Sequence, residues 1–217
     1  MFHSKKGRVI NIVDYKILAS GSSGNAVRIE NIMIDCGIGF KEMKEELYKC
    51  KYLFITHIHK DHLKPSTIKR IKKEFPRIKI LANYEVAQEL TKMNICLNYI
   101  ISTKALQLGK MIFTPFEVSH DVVCHGFTLR IGNIDVIYVT DSAGNKAWKK
   151  GKYDYLFIES NHDENKLKMA CKGKYADLTF NNSKRHTSTQ ESKAFYYMNR
   201  KNKDSKWIEL HKSKRFY

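Results

Sequence analysis

At 217 residues with 42% hydrophobic side chains, the chain can bury the core of one domain spanning 1–217 without disulfides or a structural metal to staple it. Lys and Arg number 39 against 22 Asp and Glu, a formal charge of +17, which favours a polyanionic partner because each phosphate neutralised releases counterions; a merely solvated Lys-rich surface is the plainer alternative. Residues 1–13 mix Lys, Arg, His and Gly around a brief apolar run, so they read as an extension or first strand and not as a signal or membrane-spanning segment. A cytoplasmic protein without a membrane partner is therefore expected, and Cys36, Cys50, Cys96, Cys124 and Cys171, with no Cys-x-x-Cys pair, read as reduced thiols.

Along residues 15–37, apolar runs are punctuated by Gly and Ser: YKILAS, the turn GSSGN, AVRIE and NIMIDCG, a series of short strands. GFKEMKEELYKC places Phe40, Met43, Leu47 and Cys50 at helical spacing, and the strand KYLFIT follows. Pro65 opens a second helix that carries Ile68, Ile71 and Phe75 on one face before Pro76. After the strand KILAN and the helix YEVAQELTKMN come strands near YIIST, KMIFTPFEVSH, GFTLRIG and IDVIYVTD, the last pair joined at Gly132 and Asn133. The strand YDYLFIES, a helix near ENKLKMAC, an irregular Lys- and Asn-rich segment, the helix TQESKAFYYMN and the strand KWIELHK finish the chain. Strands that follow one another through short turns, with helices between, predict two sheets packed face to face with helices outside.

The densest chemistry is Thr-His-Ile-His-Lys-Asp-His at 56–62, directly after an apolar strand and before the Pro-started helix. His57, His59, Asp61 and His62 offer imidazole nitrogens and a carboxylate, donors that suit Zn²⁺, Mn²⁺ or Fe²⁺; with no thiolate among them, an open catalytic site is expected over a closed structural one. A polar turn whose histidines only hydrogen-bond is the alternative.

HIHKDH resembles the H-x-H-x-D-H signature of the metallo-β-lactamase superfamily, and SGSSGN with MIDCG is similar to its WalJ/YycJ-like branch. The resemblance runs nearly from Tyr15 to the end. It implies an α+β fold, a four-layer αββα sandwich, with two divalent ions (Zn²⁺ or Mn²⁺) at the sheet edges and further ligands at later strand ends. His120 closes KMIFTPFEVSH, Asp141 closes IDVIYVTD, and His186 lies in SKRHTST. Carried over residue by residue, His57, His59 and His120 would hold one ion and Asp61, His62 and His186 the other, with Asp141 bridging. Such a pair lowers the pKa of a shared water and stabilises charge on a phosphoryl oxygen, with Asp61 central to catalysis. The sequence departs from the family around His186, where a Gly-His-Leu-Ser type context is missing and 172–184 is short, and Thr187 or Ser188 there also suits a helix cap.

ESNHD at 159–163 resembles a run in the same branch, so His162 is a candidate substrate contact or proton donor beside Asn161, against the plainer reading of Asp163 as a helix cap. Ser22, Ser23 and Asn25 could approach the substrate, or simply build a tight turn. His3, His125 and His211 read as ordinary histidines. The resemblance implies a DNA exonuclease acting from 5′ ends, DNA before RNA, and the basic cluster Lys146, Lys149, Lys150 and Lys152 agrees. Tyr196 and Tyr197, beside Arg200 and Lys201, could stack on a strand or belong to an amphipathic helix. A cyclic-nucleotide phosphodiesterase with a closed pocket, and a non-catalytic binding protein on the same fold, are the other readings.

Overall fold

The computed structural model describes residues 12–170, 185–215 and 217; Cys171, His3 and the segment 172–184 singled out above lie outside them. One sheet has six strands in chain order: β1 (Tyr15–Ala19), β2 (Ala26–Ile29), β3 (Ile32–Ile34), β4 (Tyr52–Ile55), β5 (Lys79–Ala82) and β6 (Tyr99–Ile100). Its first three strands form antiparallel pairs and the rest run parallel. The parallel strands need crossovers, which α1 (Phe40–Leu47), α2 (Pro65–Glu74) and α3 (Tyr84–Lys92) supply. Pro65 takes the first helical position of α2, and the Asn83 side chain caps α3 by accepting from the Val86 amide.

The second sheet orders its strands from the far edge as β12 (Lys206–Leu210), β11 (Tyr155–Glu159), β10 (Ile134–Val139), β9 (Cys124–Ile131), β8 (Met111–Val118) and β7 (Leu106–Leu108). β10, β11 and β12 are parallel, while β7 to β10 form a meander. Ile131 faces Ile134 across a two-residue turn in which Gly132 takes φ of 59°, the first central position where glycine tolerates a left-handed backbone. Pro115 sits inside β8 beyond the reach of short β7, so its missing N–H costs no ladder bond on that side. β7 was not anticipated; three residues, LQL, are too few to show a period. α4 (Glu164–Ala170) and α5 (Thr189–Asn199) complete the described elements.

Period-two alternation assembles four layers from these parts. Ile32, Ile34, Phe54 and Leu81 of the first sheet meet Phe113, Phe127, Val136, Tyr138 and Phe157 of the second in one buried cluster between the sheets. The intervening residues Met33, Leu53, Ile55 and Ile80 turn outward onto Met43, Leu47, Ile68, Ile71, Val86 and Leu90 of α1 to α3. On the other side Ile137, Val139, Leu156 and Ile158 pack with Trp148 and Phe195 of α5. The result is the αββα sandwich expected from the sequence.

One polar group lies inside the first helical layer. Arg28 on β2 is 2% exposed, and its guanidinium donates to Glu46 of α1 at 2.6 Å, to Asp14 at 2.8 Å and to the Glu30 carbonyl at 2.7 Å. Glu46→Ala leaves that buried cation short of a carboxylate, at a cost of about 2 kcal/mol. Differential scanning fluorimetry should show a fall in Tm of about 4–8 °C for a domain of this size.

Candidate metal centre

The carboxyl ends of β3, β4, β8, β10, β11 and β12 all meet at one edge of the sandwich, where Asp35, His57, His120, Asp141, Glu159 and His211 stand at or just past strand ends. Five non-glycine residues among those described have a left-handed φ, and three of them are here: Asp35 at 63°, Asp141 at 49° and His211 at 54°. Strained backbone gathered at one edge is characteristic of sites that aim side chains inward.

Two groups of donors converge. His57 Nε2 lies 3.1 Å from His59 Nδ1, which lies 3.3 Å from His120 Nε2. Beside them Asp61, His62 and His211 each bring a ligand atom within 4.8 Å of the others. Asp141 stands between the groups, with Oδ2 2.9 Å from His62 Nε2 and Oδ1 3.3 Å from His211 Nε2, and it also groups with His57. His211 Nε2 is buried and makes no hydrogen bond among the described residues. Ring nitrogens this close, with lone pairs aimed at one point beside two carboxylates, fit divalent cations: a cation relieves the lone-pair repulsion and satisfies the orphaned nitrogen.

A fully buried support fixes these rings. Asp35 accepts from the Thr56 amide at 2.8 Å and the Thr56 hydroxyl at 3.0 Å, and its Oδ2 lies 2.7 Å from His62 Nδ1. With its proton on Asp35, Thr56 Oγ1, 3.0 Å from His57 Nδ1, accepts from that ring; the Nε2 lone pairs of His57 and His62 then face the site. Burial works against charge on His62, but Asp35 and Asp141 overcome it and raise its pKa well above the ordinary range. Burial also opposes charge on Asp141, yet His211, His62 and His57 hold its carboxyl well below the usual value. His57 and His120 are pushed down by burial first and by neighbouring histidines, and a neutral imidazole is the form that ligates.

The loop that carries Asp61 is clamped by backbone. The Asn25 amide donates to the Asp61 carbonyl at 2.7 Å, Asn25 Nδ2 lies 3.3 Å from Asp61 Oδ2 and 2.7 Å from His62 Nε2, and the Cys36 amide donates to the His62 carbonyl at 2.8 Å. A Cβ on Gly37 would fall 1.6 Å from the Asp61 carbonyl oxygen, so only glycine lets the two loops touch. Asn25 thus braces the cluster from the first turn, whereas Ser22 on the same turn is exposed.

His186 is brought together with Asp141, Glu159 and His211, one ligand atom of each lying within 4.8 Å of the others, so it stands among the residues that could hold a metal, and His211 joins it there. His186 Nδ1 lies 2.6 Å from Glu159 Oε1 and 3.6 Å from Asp141, and its ring stacks on His211 with centroids 4.9 Å apart. Burial opposes its charge, but the Glu159 and Asp141 carboxylates raise its pKa to about 9. Glu159 is fully buried and also accepts from the Ser142 amide at 2.8 Å and the Thr187 amide at 3.1 Å. His211, read as ordinary, is inside the cluster. The signal was present, since it follows the apolar run KWIEL as His57 follows YLFIT and Asp141 follows IDVIYVT. His125 and His162 are outside the converging groups. Asn161 Nδ2 donates to the His211 carbonyl at 2.8 Å, and Asp163 caps α4 through the Asn165 and Lys166 amides, both at 2.9 Å. Ser188, not Thr187, caps α5.

The basic cluster divides. Lys146 lines a cavity that also takes in His162 and His186, while Lys149, Lys150 and Lys152 line a separate one with Thr114, Thr128 and Arg130. Tyr196 stacks on Trp207, whereas Tyr197 is exposed with the Arg200 guanidinium 4.9 Å over its ring. They sit toward the end of α5 away from Ser188, roughly 12 Å along its axis. The four described cysteines are free thiols, and no described helix is long and apolar enough to cross a membrane.

No family model matches the chain. It is 28% identical over 178 residues to the exodeoxyribonuclease YycJ of Bacillus anthracis, covering 71% of this chain but only 65% of that protein's length. Among solved structures it is similar to the metallo-β-lactamase fold protein YhfI of Bacillus subtilis, with a TM-score of 0.70 and 15% identity over 93% of this chain and 86% of that one. The short form of human tRNase Z superposes with a TM-score of 0.66 at 16% identity, covering 93% of each chain. A diphosphatase of the PhnP family gives 0.67 at 17% identity over 93% of this chain and 87% of its own. Likeness of architecture along nearly the whole chain shows the metallo-β-lactamase fold, and the sequence is similar to that of the exodeoxyribonuclease YycJ over 178 residues.

Proposed function

We propose that the chain is a metal-dependent phosphodiester hydrolase, and specifically a DNA exonuclease. The observation that carries this reading is the pair of donor clusters joined by Asp141 at one sandwich edge. His57, His59 and His120 would hold one divalent ion and Asp61, His62 and His211 the other, with Asp141 between. When bound, the ions lower the pKa of a shared water and stabilise charge on the phosphoryl oxygens of an in-line displacement.

The remaining work belongs to side chains. Asp35 and Thr56 hold His57 and His62 in the tautomers that ligate, and Asn25 holds the Asp61 loop against them. His186, tied through Nδ1 to Glu159 at 2.6 Å, is placed to give a proton from Nε2 to the departing alkoxide oxygen. We assign it to proton transfer because Glu159 already takes its Nδ1, with ligation beside Asp141 and His211 as the second reading, and His162 to the neighbouring cavity. The charge of +17 supports a polyanionic substrate, and the likeness to an exodeoxyribonuclease favours DNA over RNA.

End-labelled single-stranded DNA incubated with Mn²⁺ or Zn²⁺ should be degraded by the wild type and left intact by Asp61→Ala, with the circular dichroism of the variant unchanged. Full activity in that variant would sink the mechanism. His211→Ala and His186→Ala separate the two roles. The first should raise the metal concentration for half-maximal rate by about tenfold or more, and the second should lower kcat by about a hundredfold while leaving that concentration unchanged. Equal shifts in metal requirement would return His186 to the ligand set.

A further inference from the structure

The crossover from β10 to β11 has to travel the length of the sandwich. Because the two strands are parallel, the chain leaves β10 at the metal edge and must return to the opposite edge before β11 begins at Tyr155. It does so over the outer face of the second sheet, where it is pinned. Trp148 is buried with Ile137, Val139 and Phe195, and its Nε1 donates to Ser142 Oγ at 2.9 Å. The Gly151 amide donates to Asn199 Oδ1 at 3.0 Å, and the Tyr153 hydroxyl donates to the Lys149 carbonyl at 2.7 Å. The lysines on this fixed path, Lys146, Lys149, Lys150 and Lys152, are all exposed.

At the far end the path meets a cavity of about 420 Å³. Arg130, Lys149, Lys150 and Lys152 line it against one carboxylate, Asp135, which is already taken by Arg130 at 2.8 Å and Lys201 at 3.7 Å. Lys149 and Lys150 form no ion pair among the described residues. Lys152 Nζ donates to the Met198 carbonyl at 3.2 Å, which leaves its charge uncancelled. Thr114 and Thr128, directly opposite each other on β8 and β9, complete the wall, and their hydroxyls bond to no protein group among the described residues. A cleft with this excess of one charge focuses its field on an anion, and the hydroxyls are free to donate to it. Asp135 and Asp141 are six residues apart along β10, so the cavity stands roughly 20 Å from the metal centre. Lys146, on the wall beside His186, marks the near end of the same path.

We propose that this crossover is a phosphate track, and that the cavity at its far end holds a backbone phosphodiester of the substrate strand. The proposal rests on the nuclease reading and deepens it, because it makes an extended single strand the preferred substrate over a dinucleotide or a cyclic nucleotide. A span of roughly 20 Å is covered by about four nucleotides of such a strand. Lysines spaced along a pinned loop suit a chain of evenly spaced monoanions, and contacts of this kind hold a strand without reading its bases.

The test follows the fluorescence anisotropy of dye-labelled oligothymidylates of two, four, eight and sixteen nucleotides on the full chain carrying Asp61→Ala, which prevents their degradation. Affinity should climb with length to about four to eight nucleotides and then level off. Adding Lys149→Met/Lys150→Met should weaken the sixteen-mer about tenfold, lower the slope of log affinity against log salt by about two, and abolish most of the gain from lengthening. Lys69→Met/Lys73→Met removes equal charge from α2, in the opposite helical layer, and should change sixteen-mer binding less than twofold. In the active chain Lys149→Met/Lys150→Met should raise KM for the sixteen-mer about tenfold with kcat within a factor of two. Equal weakening by the two double variants would reduce the effect to overall charge and overturn the proposal, as would a sixteen-mer held no more tightly than the dinucleotide. A wild type that binds long strands through Lys149 and Lys150 yet hydrolyses none of them would instead defeat the nuclease reading and leave the track standing.

Discussion

A single buried carboxylate organises the functional edge. Asp35 has no exposed surface, and it is tolerable there only because the Thr56 amide, the Thr56 hydroxyl and His62 Nδ1 all turn toward it. Those bonds fix more than Asp35. They present His62 Nε2 to Asp141 and, through Thr56, His57 Nε2 to His59. With Asp35 and Asp141 flanking one imidazole, the edge holds more negative than positive charge unless a cation enters, either as a proton on His62 or as a metal ion on the Asp141 side of its ring.

The sandwich supplies the convergence that this carboxylate exploits. Parallel strands end on one side, and both sheets place their carboxyl ends at the same edge, so residues as distant in sequence as Asp61 and His211 become neighbours. The close approach at Gly37, the Asn25 bonds and the left-handed turns at Asp35, Asp141 and His211 are local costs borne by the packed layers beneath. Glu159 repeats the logic on a smaller scale: a buried carboxylate held by two amides positions His186 at the wall between the metal centre and the adjoining cavity.

Much of this was legible in the sequence because it is local. HIHKDH is contiguous, His120 and Asp141 stand at the ends of apolar runs, and the periodicity of α1, α2 and α5 is written in their spacing. What escaped depends on distant pairing. Nothing near Glu159 announces that His186, 27 residues later, will take its carboxylate, and a lone histidine two residues past Glu209 carries no motif around it although it follows the strand-end rule. Asp35 lies in MIDCG, a segment notable in sequence for resemblance alone; its role appears only when β3 and β4 pair and bring Thr56 alongside. The lysine run after Asp141 reads as one patch but folds around a turn, and its members face two different cavities.

The central claim is that the two donor clusters are built for two divalent cations. It is tested most directly by titrating Zn²⁺ or Mn²⁺ into chelator-stripped protein while following bound metal by mass spectrometry and Tm by calorimetry. Binding near two ions per chain is predicted, with stabilisation of about 3 kcal/mol per site once free metal exceeds that site's dissociation constant a hundredfold. Saturation below one ion, or a Tm indifferent to metal, would contradict it.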